Sequence, residues 1–229
     1  MKKNIKKASA MGVCGICKQP VPKSQIARHL KTCRPSPPAT GKPVEWFHLA
    51  IECPYLPEYW LHIDIPGAQK LADLDGFLRG IWLECCGHLS SFIIDGICYD
   101  SNPDTENLFG GPPAKSMTAK LYAVLKPGSE FEYEYDFGST TELVLKVVDV
   151  TLAPAVRGNP IRILARNAPP EFRCASCKQP ATKLADGGNG LDPDHCYCDD
   201  CAEELDDDEQ DMLMPIVNSP RVGVCGYCG

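Results

Sequence analysis

The sequence predicts an α+β fold: a mainly antiparallel sheet with one long helix, flanked by an N-terminal C2HC zinc finger and a C-terminal cysteine-rich zinc ribbon. Three observations carry that prediction. Alternating apolar and polar segments recur through the middle of the chain, one stretch there switches to helical period, and cysteines cluster at both ends. The 229 residues include 14 cysteines, 23 Lys+Arg and 30 Asp+Glu, for a net charge of −7. At 44% hydrophobic and 23% charged, the composition is that of a globular chain and excludes a disordered one. No stretch approaches the roughly 18 uninterrupted apolar residues of a transmembrane helix, and no apolar run follows the N-terminal lysines as a signal peptide requires. A cytoplasmic protein with no membrane partner is expected. In that reducing setting clustered thiols are read first as metal ligands.

The chain divides into a basic finger (1–34), a proline-rich linker (35–43), a central α+β domain (44–168) and a cysteine-rich tail (169–229). Arg34-Pro-Ser-Pro-Pro-Ala-Thr-Gly-Lys-Pro43 is too rich in proline to fold compactly and reads as an extended spacer. Residues 1–42 hold ten Lys/Arg and no acid, leaving 13 basic and 30 acidic groups beyond them. Nine acids fall between Asp199 and Asp211 alone. No internal repeat of useful length is read, although the C-x2-C spacing recurs.

Cys14-Gly-Ile-Cys17, eleven residues, then His29-Leu-Lys-Thr-Cys33 forms C-x2-C-x11-H-x3-C. Two thiolates two residues apart sit on one tight turn, and His29 and Cys33 at i and i+4 project from one helix face, so Cys14, Cys17, His29 and Cys33 suit a tetrahedral zinc shell. A module this short lacks the apolar surface to fold alone, and the metal supplies the missing free energy. Ser24 is the expected N-cap of the helix, with Ile26 and Leu30 covering the metal.

The stretch Cys14 to Cys33 resembles the C2HC ubiquitin-binding fingers of eukaryotic DNA-damage proteins. Those fingers carry an acid between the His and the last Cys, where this chain has Leu30-Lys31-Thr32, which counts against a ubiquitin-like partner. Lys2, Lys3, Lys6, Lys7, Lys23, Arg28, Lys31 and Arg34 instead fit contact with nucleic acid or an acidic protein surface.

In the central domain, 44–53 and 60–65 alternate as two strands. Over 68–86, Leu71, Leu74, Phe77, Leu78, Ile81, Trp82 and Cys85 make one helical stripe, with Gly87 as its C-cap. Residues 91–94 and 97–99 read as a hairpin on the favoured turn Asp95-Gly96. A short helix is expected near 118–125, then strands at 131–135, 141–150 and 161–166. Cys85, Cys86 and His88 read first as structural, since Cys85 belongs to the apolar stripe and a helix C-terminus disfavours the thiolate a nucleophile needs; a metal-ligand role, and a catalytic one for Cys86 and His88, are the alternatives.

Trp82-Leu-Glu-Cys-Cys-Gly-His-Leu-Ser-Ser-Phe92 and Tyr133-Glu-Tyr-Asp-Phe-Gly138 resemble the signatures of the plasmid pRiA4b ORF-3-like family, over roughly 44–166. The resemblance implies an α+β fold and no established activity. Trp60-Leu61-His62 stands where many members have Trp-Arg-Arg, and Ser139-Thr140-Thr141-Glu142 replaces their Asp-x-Trp-x-His.

Cys174-Ala-Ser-Cys177, twenty residues, then Cys198-Asp-Asp-Cys201 has the spacing of a four-thiolate zinc ribbon. Asp186-Gly-Gly-Asn-Gly190 makes an exposed loop tip in its spacer. The remaining thiols leave two assignments open: His195, Cys196, Cys225 and Cys228 form an additional site, or Cys225/Cys228 pair with an earlier knuckle and release another. At least two Zn²⁺ are expected. The functional reading is a cytosolic zinc-binding adaptor, more a binding protein than an enzyme, contacting nucleic acid through its basic finger. The alternatives are an enzyme or enzyme accessory with its site near His88 and Asp136, and an interaction module of a mobile-element-associated family. No catalytic residue is assigned.

Overall fold

The structure, a computed structural model, describes residues 11–34, 42–103, 113–155, 161–185 and 190–229. Lys2, Lys3, Lys6 and Lys7, most of the proline-rich spacer and the loop tip at 186–189 lie outside the described residues. The chain folds as α+β around a large, mostly antiparallel sheet.

The finger contributes β1 (Met11–Cys14), β2 (Pro20–Pro22) and α1 (Lys23–Cys33). The helix starts two residues earlier than a Ser24 cap allows: Pro22 is the N-cap and makes no side-chain cap bond. Next come β3 (Pro43–Glu52), β4 (Trp60–Pro66) and α2 (Leu71–Leu78), continued by a π-helical turn over Arg79–Leu83. The single long helix expected over 68–86 is therefore shorter and changes pitch. Glu84 donates its backbone N–H to Arg79 O, and its side chain is held by Arg79 and the Gly87 N–H, which ends the helix before Cys85. Gly87 does adopt the left-handed conformation, φ 76°, but in the turn beyond the cap. Among the described residues the longest stretch of regular α-helix is α1, in the finger.

The hairpin β5 (Ser90–Ile94) and β6 (Ile97–Asp100) turns on Asp95-Gly96, both at positive φ (50° and 76°) as its tight turn requires. β7 (Lys115–Ser116) pairs parallel with β6, and α3 (Leu121–Val124) leads to β8 (Glu130–Tyr135), β9 (Thr141–Pro154) and β10 (Arg162–Asn167). The tail carries β11 (Lys183–Ala185), a 3-10 turn Pro193–His195, β12 (Cys196–Tyr197), α4 (Asp199–Ala202), α5 (Asp207–Asp211) and β13 (Leu213–Pro215). Asp206 caps α5 by accepting from Glu209 N, so part of the acidic run supplies favourable charge to a helix N-terminus.

The ten-stranded sheet runs β2-β1-β10-β4-β3-β9-β8-β5-β6-β7, and β12-β11-β13 forms a second, small sheet. Phe47, Leu49, Ile51, Leu61, Ile63 and Ile65 face α2 and the main core. The opposite face of β4 and of its neighbour β10 is covered by the finger: Val21, Ile26 and Leu30 pack on Trp60, Leu164 and Ala165. That is why all seven residues of β4 are buried. Gly12 is required by this contact, since a Cβ there would collide with the Trp60 ring and the Arg166 carbonyl. The finger is thus an edge of the sheet, with β1 paired to β10.

Candidate metal centres

Each terminal cluster closes. The donor atoms of Cys14, Cys17, His29 and Cys33 lie within 4.8 Å of one another, as do those of Cys174, Cys177, Cys198 and Cys201. Cys14 Sγ is 3.7 Å from Cys33 Sγ, Cys17 Sγ is 3.4 Å from His29 Nε2, and Cys177 Sγ is 3.5 Å from Cys198 Sγ. Such sets of four can hold a metal ion, and their thiolate and imidazole chemistry suits zinc.

The two leading knuckles are the same device built twice, which the sequence reading missed. Cys14-Gly-Ile-Cys17-Lys18-Gln19-Pro20 and Cys174-Ala-Ser-Cys177-Lys178-Gln179-Pro180 share C-x2-C-Lys-Gln-Pro. In both, the first Cys N–H bonds the Gln carbonyl (3.0 and 2.8 Å) and the Lys N–H bonds the first Cys carbonyl (2.9 and 3.0 Å). Lys18 and Lys178 take the left-handed conformation, φ 62° and 65°. Their ammonium groups reach back to Gly15 O and Ala175 O. Backbone N–H groups then point at sulfur. The Cys177 N–H, ahead of other amides and against burial, brings the Cys174 thiol down to about 6. The Gln19 N–H lowers Cys17 in the same sense. Cys33, Cys198 and Cys201 are pushed up beside them, so each cluster favours one thiolate before any ion arrives.

The additional tail site is not assembled. Cys196 is buried in β12 within the main core and donates to Asp192 O, His195 bonds Asp192, and Cys228 donates to Gly226 O. Cys225 lies elsewhere, beside Cys86 and His88. Cys85, Cys86, His88 and Cys225 form a third group whose donors all fall within 4.8 Å. Cys85 and Cys225, each hydrogen-bonded to Cys86, push its thiol up to about 12.

Around this group the signature residues interlock. Asp75 accepts from Ser90 Oγ (2.6 Å), Tyr133 OH (2.8 Å) and Arg79 Nε (2.8 Å). Arg79 and Arg221 lie over the Tyr135 ring at 4.7 and 4.8 Å. Tyr135 OH donates to Glu84, and Asp136, in the turn after β8, approaches His88 Nδ1 at 3.5 Å. The fully buried Arg221 pairs with Asp136 at 2.6 Å and bonds Ser139 O and Thr141. Burial alone would raise Asp136; the Arg221 guanidinium and the Gly138 N–H outweigh it and hold the carboxyl below its usual range.

Of the basic residues expected to meet nucleic acid, Lys23 is spent on Glu52 (2.9 Å) and Pro57 O, and Arg34 pairs with Asp64 and Asp149. Both point at the protein itself. Arg28 and Lys31 are exposed on α1, and Arg28 borders an open groove of about 500 Å³ lined by Pro20, Val21, Gln25, His29 and Thr32.

An α+β domain with cysteine-rich knuckles at both ends defines a class of protein that could hold metal ions. Within it, the chain belongs to the plasmid pRiA4b ORF-3-like protein family, whose profile matches residues 52–209. A protein of unknown function, MM3350 from Methanosarcina mazei Go1, is similar at 22% identity and a TM-score of 0.42, over 50% of this chain and 65% of that one, so this chain spans less than two thirds of its length. No curated protein matches. Among the described residues no helix is long and apolar enough to cross a membrane.

Proposed function

We propose that this chain is a zinc-stabilised binding module, working in a reducing compartment such as the cytosol, whose finger presents a basic face to nucleic acid. One observation carries the reading: both terminal clusters supply four protein donors, an arrangement that leaves no open coordination position and belongs to structural rather than catalytic zinc. Zinc at Cys14, Cys17, His29 and Cys33 shapes the finger, and zinc at Cys174, Cys177, Cys198 and Cys201 shapes the ribbon. The recurrence of the C-x2-C-Lys-Gln-Pro knuckle at both places supports one shared role for it. All fourteen cysteines are free thiols, as a reducing compartment requires.

With Lys23 and Arg34 turned inward, the basic residues of that set exposed among the described ones are Arg28 and Lys31, and Lys2, Lys3, Lys6 and Lys7 add positive charge just before them in the sequence. The acidic body repels a polyanion, so contact is confined to that edge and is sensitive to salt. Anisotropy titrations of the full chain against single- and double-stranded oligonucleotides at 50 and 200 mM salt test this. Binding should weaken steeply with salt, and Arg28→Glu with Lys31→Glu should weaken it by about tenfold or more and flatten the salt slope by about 2. Absence of binding at low salt, or binding indifferent to both changes, overturns the nucleic-acid reading. An acidic protein surface is then the remaining class of partner.

A further inference from the structure

The third cluster, Cys85, Cys86, His88 and Cys225, belongs to neither the finger nor the ribbon. We infer that these four side chains bind a zinc ion of their own, and that this ion clasps the C-terminal tail to the turn after the π-helical segment.

The first argument is the spacing of the donors. Cys86 Sγ lies 3.5 Å from Cys85 Sγ, 3.2 Å from His88 Nε2 and 3.5 Å from Cys225 Sγ, and His88 Nε2 is 3.3 Å from Cys225 Sγ. A tetrahedral zinc shell with ordinary Zn–S and Zn–N lengths places neighbouring donors about 3.5–3.8 Å apart. The cluster sits within a few tenths of that, and its spacings match the 3.4–3.7 Å found in the finger and ribbon. Three sulfurs and an imidazole are soft donors, which favour zinc over magnesium or calcium.

The surroundings supply the second argument. A metal-bound histidine ordinarily has its other ring nitrogen oriented by a carboxylate or carbonyl. His88 turns Nε2 to the sulfurs and has Asp136 Oδ1 3.5 Å from Nδ1. Asp136 is itself fixed by Arg221 and the Gly138 N–H. Three thiolates on one divalent ion leave a net negative centre, and Arg221, which also hydrogen-bonds the Cys85 thiol, is the buried cation beside it. Asp136 and Arg221 are positioning residues; the four donors are the ligands.

The third argument is topological. Cys225 arrives from 139 residues beyond Cys86, and the segment before it is already tied down. Ser219 Oγ donates to Trp82 O, Val222 joins the main core, and Gly223 takes a left-handed conformation where a Cβ would strike Leu184. An ion at Cys225 closes this docked segment at its far end.

The order Cys86, His88, Asp136 is also that of a thiol nucleophile, its base and an orienting carboxylate. The geometry disfavours that use. Two further thiols crowd Cys86, and Asp136 is committed to Arg221.

Elemental analysis of the full chain, purified without added chelator, should find three zinc ions, and Cys225→Ser should retain two. Trypsin should then cut after Arg221, buried in the parent, at least about tenfold faster in the variant. If Cys225→Ser fails to fold, Cys86→Ser serves with the same expected count. Cobalt substitution gives a further reading: the thiolate charge-transfer band should fall by roughly a third in either variant. A parent with two ions, unchanged in Cys225→Ser, overturns the clasp and leaves the finger and ribbon standing. Fewer than two in the parent counts against those sites instead. A Cys86–Cys225 disulfide in the purified protein, or rapid stoichiometric alkylation of Cys86 in the metal-loaded chain, also overturns it.

Discussion

Arg221 shows how much a single residue can depend on a partner far away in sequence. Its side chain is completely out of solvent, and a guanidinium so placed is tolerable only while Asp136 stays ionised against it. Asp136→Asn keeps the shape of the side chain and removes the charge, leaving Arg221 buried without its carboxylate partner. The expected cost is about 3–5 kcal/mol, read as a lower midpoint in urea. Arg221→Met removes the other charge and leaves Asp136 with the Gly138 N–H as a partner and free to take up a proton, so it should cost clearly less. Equal losses from the two changes would overturn that ordering, and additive losses in the double variant would show that the pair is not coupled. At this scale the sequence was half legible. The Tyr-Asp-Phe-Gly turn singles out Asp136, but nothing local points to a partner 85 residues on. Cys225 failed the same way: C-x2-C spacing suggested Cys228, while its neighbours are Cys86 and His88.

At the scale of elements, local signals read well where one face is wet. The alternation of β8 and the Asp95-Gly96 hairpin form as the pattern requires, and the apolar stripe Leu71, Leu74, Leu78 and Trp82 faces the core. Where both faces are covered, the pattern loses its meaning. In β4 the finger side carries Trp60, His62 and Asp64, which alternation alone takes for a solvent face. His62 Nδ1 instead meets His48 Nε2 of β3 at 2.8 Å, under the finger. Burial, then the His62 and Arg34 charges, push His48 down to about 3. Burial likewise lowers His62, to about 4, with Glu52 opposing and Lys23 and Arg34 assisting. Both rings are therefore neutral in the fold. Below about pH 6.5 the unfolded chain takes up protons that the folded chain refuses. Stability is level above that pH and falls below it, by up to about 1.4 kcal/mol per pH unit for each ring until the folded values are reached. Urea midpoints at pH 7.5, 6.5 and 5.5 should show this slope, and His62→Gln should flatten it. An identical slope in a His48→Gln, His62→Gln double variant would place the acid sensitivity elsewhere.

Across the whole molecule, the metal clusters and the main core divide the work of folding. The core between α2 and the sheet contains only Cys53 and Cys196 among its buried cysteines, and neither belongs to a candidate centre. The finger, in contrast, buries little beyond Cys14, Val21, Ile26 and Leu30 against the sheet. A fold that small draws most of its stability from the ion, whose binding to such modules is worth roughly 10–16 kcal/mol at neutral pH. Chelation should therefore unzip the molecule from its ends. β1, β2 and α1 should leave β10, uncovering Trp60 and shifting tryptophan emission to the red, while the strands from β3 to β9 keep their pairing. In hydrogen exchange, amides of 11–34 and 174–201 should lose at least about tenfold in protection, and those of β3, β8 and β9 should change by less than about twofold. Returning zinc should restore both signals. A single cooperative loss of all protection on chelation would mean instead that the sheet depends on its metal-held edge, and that finger and core form one folding unit.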